Sequence, residues 1–177
     1  MRFRTFAFIA ATVIATAARA QTAPVPIPYL TYVALNPLGI PFDIVSAEFE
    51  TAVASGVTVG ALGSYTVIDS DRYGTVDAKV RYYPGEVVLS GFSLGMSLGR
   101  THYSTPVSTP TGTDRAALDF ATLGLLVDYN WLLGTRHRFV VGTGIGAKRV
   151  LASAGDRDRV NIERAYVTGR FVVGLAF

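Results

Sequence analysis

The chain has 177 residues, 50% of them hydrophobic, no cysteine, and a formal charge of +3 from 16 Lys+Arg against 13 Asp+Glu. Without cysteine, disulfide staples, Cys metal sites and thiol nucleophiles are excluded. The positive balance is no nucleic-acid footprint: Arg2, Arg4 and Arg19 fall within residues 1–20 with no acid beside them, which leaves 13 against 13 in the remainder.

Arg2 and Arg4 begin a positive segment, Phe6 to Ala18 form a short apolar run, and Ala18-Arg19-Ala20 supplies small residues in A-x-A spacing. This pattern predicts a secretory signal over residues 1–20, exported through the Sec pathway. The run falls short of the ~20 apolar residues that a spanning helix needs. Residues 21–28 form a proline-rich lead-in whose prolines cannot donate to a strand ladder.

Eight alternating segments follow, at about 29–37, 43–51, 57–68, 75–83, 91–102, 120–132, 138–150 and 164–177. Their lengths suit tilted membrane-spanning strands. The first is interrupted by Asn36-Pro37-Leu38-Gly39-Ile40-Pro41. The alternation has one sense throughout. Phe92, Leu94, Met96 and Leu98 oppose Ser93, Gly95, Ser97 and Gly99; Leu123, Leu125, Val127, Tyr129 and Trp131 oppose Thr122, Gly124, Asp128 and Asn130.

Small residues on the polar face suit the narrow, side-chain-filled interior of an eight-stranded barrel. The apolar face is then the outer one. Phe49, Tyr82, Phe92, Tyr129, Trp131, Phe139 and Phe177 share that face and gather toward one end, as an aromatic girdle at a membrane interface would. The reading is all-β: an eight-stranded antiparallel up-and-down transmembrane β-barrel over residues 29–177, with no further domain. Short turns are expected at 52–56, 84–90 and 133–137, and longer loops at 69–74, 103–119 and 151–163.

Parity also sends charges inward: Glu48, Asp77, Lys79, Arg81, Asp128, Lys148 and Arg170, with Glu50 near the rim. Unpaired charge inside a narrow barrel is costly, so these groups predict an interior charge network that closes the lumen. Glu48 and Asp128 are expected to pair with Arg81 and Arg170.

Other motifs carry less. Asp69-Ser70-Asp71 and Asp156-Arg157-Asp158 lack the spacing of a calcium loop and read as solvated loop charges, and His137 between Arg136 and Arg138 reads as a surface residue. Gly142, Gly144 and Gly146 do not begin a helix, so no nucleotide loop is implied. Neither metal nor cofactor is expected.

The pattern as a whole resembles the small eight-stranded bacterial outer-membrane barrels, similar to the OmpA transmembrane domain and OmpX-like proteins. The strand Tyr166–Phe177, ending on a phenylalanine, looks like their C-terminal assembly signal. The resemblance implies a bacterial outer-membrane location with both termini periplasmic. It also implies contact with outer-membrane lipid and lipopolysaccharide, and recognition of the last strand by the barrel-assembly machinery. Asn36-Pro37-Leu38 followed by Ser46-Ala47-Glu48-Phe49-Glu50 resembles the opening hairpin of uncharacterised small-barrel families. His102-Tyr103-Ser104 is similar to the H-x-S of lipid A 3-O-deacylases, but Thr105 replaces the Asn of that family, and the nearest acids are Asp114 and Asp119.

The function expected is a non-enzymatic, monomeric structural or adhesive anchor displaying loops. The alternatives are a lipid-modifying hydrolase using His102 and Ser104, or a narrow pore for small solutes.

Overall fold

The structure is a computed structural model that describes residues 29–85, 87–109, 112–155 and 163–177. The proposed signal, the whole of the lead-in and Asp156-Arg157-Asp158 lie outside the described residues. Eight antiparallel strands close into one barrel in sequence order: β1 (Thr31–Leu35), β2 (Ile44–Ala54), β3 (Val57–Ile68), β4 (Asp71–Tyr82), β5 (Gly91–Thr109), β6 (Gly112–Leu133), β7 (Phe139–Gly155) and β8 (Ala165–Ala176). The ring shuts where β1 meets β8, with Tyr32 opposite Ala176 and Leu35 opposite Val173. Closure leaves no free edge along the paired girth.

Strand boundaries differ from the sequence reading where turn chemistry decides. β1 stops at Leu35, and Pro41 follows in a 3-10 turn at Ile40–Phe42. The long loop expected at 69–74 is a tight turn instead: Ile68 pairs with Asp71, and Asp69 and Ser70 both take positive φ, at 48° and 83°. Two such residues match the twist of flanking strands. The loop expected at 103–119 is largely strand, since β5 and β6 stay in register from Gly91↔Asn130 to Thr109↔Gly112. Pro106 is tolerated there because β4 pairs with β5 only as far as Ser104, which makes the rest of β5 an edge. β7 likewise continues to Gly155.

Polarity is inverted relative to a water-soluble barrel. Outward-facing Ile145 and Val167 are 67% and 81% exposed, whereas Arg81 and Asp128 are 1% and 2% exposed. A cluster of buried apolar residues fills one end, here the lower end. Tyr32, Ala34, Leu132, Val140, Val172 and Ala176 converge there on Leu89, which the β4–β5 turn inserts at a φ of 65°. Leu89 is fully buried, so the bottom of the lumen has an apolar stopper.

Candidate functional site: the barrel lumen

Above the stopper lies a layer of buried charge. Arg81 is its centre: Nε donates to Asp128 Oδ2 at 2.7 Å, and Nη1 reaches Glu48 Oε1 at 3.1 Å and also pairs with Glu50. Lys79 Nζ contacts Glu48 Oε2 at 2.6 Å, and Arg170 Nη2 contacts Glu48 Oε1 at 2.9 Å. Glu48 thus collects three cations. Neutral groups complete the layer. The Tyr32 hydroxyl lies between Glu48 and Glu50 and donates to Glu50 Oε2 at 2.7 Å. Thr58 and Tyr83 donate to Glu50 Oε1 at 2.6 and 2.7 Å. Asn130 Nδ2 donates to the Tyr83 hydroxyl at 3.1 Å. These bonds meet the acceptor capacity of Glu50 that charge pairing leaves over, whereas Arg81 Nη2 and Asp128 Oδ1 have no hydrogen-bond partner among the described residues.

A separate pair, Asp77 and Lys148, spans the lumen higher up at 2.6 Å. Counting both tiers, Glu48, Glu50, Asp77 and Asp128 balance Lys79, Arg81, Lys148 and Arg170. Between the tiers runs a cavity of about 250 Å³ lined by Ser64, Thr75, Ser97, Lys79, Lys148 and Arg170 among others.

The backbone makes room for these long side chains by placing glycine across the ladder from them. Glu50 and Lys79 flank Gly60, Arg81 faces Gly95, Asp77 faces Gly99, Lys148 faces Gly124, and Asp128 and Arg170 flank Gly144. A Cβ on Gly144 would collide with Asp128 Oδ1, and one on Gly99 with Asp77 Oδ1. Large opposite small is how a narrow barrel fills without voids.

The charges read from parity all point into the lumen, yet their pairing differs in detail from the expected one. Asp128 bonds to Arg81 and not to Arg170, whose Nη1 goes to Asn130 Oδ1 at 2.9 Å. Glu50 is fully inside the layer, not at a rim. Sequence reasoning missed Tyr32, Thr58, Tyr83 and Asn130 because neutral residues carry no charge signal, although Asn130 already fell on the polar face of its strand.

The aromatics stand on the outer face. Phe49, Tyr82, Phe92, Phe139 and Phe177 are exposed, while Tyr129 and Trp131 are half-buried against each other with rings 4.7 Å apart. Six lie toward the lower end; Phe49 is at mid-strand in β2, opposite Val33.

His102 and Ser104 also face outward, near the upper end of β5. Asp119 sits directly across the ladder from His102, with Oδ1 at 3.4 Å from Nδ1 and at the same distance from Arg100 Nε. The Ser104 hydroxyl accepts from Arg115 Nε at 3.0 Å. Asp114 accepts a bond from the Arg115 backbone N–H. No cluster of His, Asp or Glu suited to a metal occurs among the described residues.

No protein-family model and no curated protein matches the chain. Among solved structures it is similar to the N-terminal β-barrel domain of Pseudomonas aeruginosa OprF, at 13% identity and a TM-score of 0.50, over 83% of this chain and 96% of that one. The likeness is one of fold: both are small closed barrels.

Proposed function

We propose that the chain is a non-enzymatic bacterial outer-membrane protein, a rigid monomeric anchor whose upper end displays the β5–β6 hairpin and its neighbouring loops to the exterior. The observation that carries this reading is the inverted polarity: an outer face of large apolar residues around a core of paired charge. In water such a face would far exceed the apolar patches that soluble monomers tolerate. In lipid it is the favoured solvent, provided every backbone group is bonded, which a closed ring achieves. The fold likeness to the OprF barrel supports the same setting. On this reading the aromatic belt marks the periplasmic interface, both ends of the barrel chain are periplasmic, lipopolysaccharide surrounds the upper rim, and the barrel-assembly machinery engages the strand ending at Phe177.

The lumen is closed twice, by the Arg81-centred charge layer and by Leu89 beneath it. The anchor reading therefore predicts no steady conductance. The wild-type protein is reconstituted in planar bilayers beside Arg81→Ala and Arg81→Ala/Leu89→Gly. A silent wild type and a conducting double variant fit the proposal; steady wild-type channels would replace it with the pore reading.

One observation favours a second reading, a surface hydrolase. The acid that His102 would need is present in Asp119, on the adjacent strand at 3.4 Å. The serine hydroxyl is held by Arg115 instead of the imidazole, so a substrate would have to draw it away. Mass spectrometry of lipid A from cells with and without the protein tests this reading, and identical spectra would end it.

A further inference from the structure

The upper mouth of the lumen differs in chemistry from the charge layer below. A cavity of about 340 Å³ opens there, walled by Tyr73, Tyr103, Phe120 and Tyr166, with Glu163 at its edge. Ladder register builds it. Tyr73 pairs with Tyr103 across β4 and β5, their rings 4.6 Å apart and tilted by 34°. Thr75 pairs with Thr101 one step down, their hydroxyls 2.9 Å apart, and Thr101 pairs in turn with Phe120 of β6. The Tyr103 hydroxyl donates to Asp71 Oδ2 at 2.8 Å, which brings a second carboxylate beside the rings.

Among the described residues, the charged side chains nearest the cavity are acidic. Glu163 lines the cavity and Asp71 is held beside it by Tyr103, while Lys148, in the tier below, is paired with Asp77. Arg72, Arg100 and Arg115 are exposed on the outer surface and Arg164 is exposed at the start of β8; none of the four lines the cavity.

We propose that this mouth is a binding site for a small organic ammonium ion. Ring faces carry negative potential, and several rings around one space form the arrangement that holds a poorly hydrated quaternary ammonium. Two nearby carboxylates supply the counter-charge without a tight ion pair. The volume admits a trimethylammonium group with a short substituent. The site stands on the cavity and its lining, independently of whether the barrel conducts or hydrolyses.

The test uses full-length protein in maltoside micelles, which lack choline headgroups, with choline as probe. The comparison ligand is dimethylbutanol, in which carbon replaces the charged nitrogen. Binding is followed by saturation-transfer NMR and calorimetry. Choline is expected to bind saturably and roughly tenfold more tightly than the alcohol, as cation–π attraction in a partly desolvated site provides. Tyr73→Leu should weaken choline about fivefold and Glu163→Gln about threefold at low salt. Heat-modifiable migration on gels shows that each variant is folded. Equal binding of choline and alcohol, no saturation by the folded wild type, or an unaltered affinity in folded Tyr73→Leu would each overturn the proposal.

Discussion

Replacing Arg81 by methionine should be among the most damaging single changes in the lumen. The side chain is 1% exposed and pairs with Glu48, Glu50 and Asp128 at once. Glu48 would keep Lys79 and Arg170, and Glu50 would keep its bonds from Tyr32, Thr58 and Tyr83. Asp128 would lose its cation, and its other oxygen, Oδ1, already has no partner among the described residues. Removing one member of a buried ion pair costs ~3–5 kcal/mol, because the remaining charge stays desolvated. The lower end of that range applies here, since water can enter from the cavity above, so about 3 kcal/mol is expected, or roughly a hundredfold in the folding equilibrium. Reversible urea unfolding in lipid vesicles, followed by the emission of the single tryptophan, measures it. Arg81→Met/Asp128→Leu removes both charges and should recover at least ~1 kcal/mol, a coupling that the double-mutant cycle isolates. An Arg81→Met variant within ~1 kcal/mol of wild type would refute the view that this layer is a fully desolvated, mutually dependent network.

Other outcomes follow from particular contacts. Gly144→Val should cost ~2–3 kcal/mol or block folding, since its side chain would occupy the space of Asp128, whereas Gly63→Val, where a Cβ meets nothing within 4 Å, should be nearly neutral in the same unfolding assay. Lys148→Met should destabilise the barrel by ~3 kcal/mol and Lys148→Met/Asp77→Leu by clearly less; equal losses would mean that the upper pair is hydrated, not buried. Ser104→Ala should leave lipid A spectra as wild type gives them, because the hydroxyl is bonded to Arg115 and not to His102.

The period of two made much of this fold readable in advance. Arg81, Asp128 and Arg170 fall on the same face as serines and glycines, and one inward residue fixes the parity of its whole strand. The ends of strands were less legible. Asp69-Ser70 resembles any polar loop until both residues are seen at positive φ, and the Thr- and Ser-rich tip of β5 pairs with β6 in spite of Pro106. Partner choice was hidden for a different reason. Whether Arg170 meets Asp128 or Asn130 depends on inter-strand register, and nothing along a single strand encodes that. The same holds for the rule that Gly95 faces Arg81 and Gly99 faces Asp77. Leu89 was unreadable because a turn residue carries no periodicity to show that it points into the lumen. The mouth cavity was hidden by the same limit, since Tyr73, Tyr103, Phe120 and Tyr166 belong to four strands.

The central claim is that the apolar face meets lipid and the charged face does not. Trp131, the single tryptophan, stands on that outer face beside Tyr129 and reports on the claim without any substitution. The measurement is quenching of its emission in vesicles whose phospholipid chains carry bromine near the headgroup or deep in the bilayer, set against quenching by aqueous acrylamide. Strong quenching by the shallow bromines, weaker quenching by the deep ones, and little by acrylamide are expected. Emission that acrylamide quenches and brominated lipid leaves unchanged would contradict the claim.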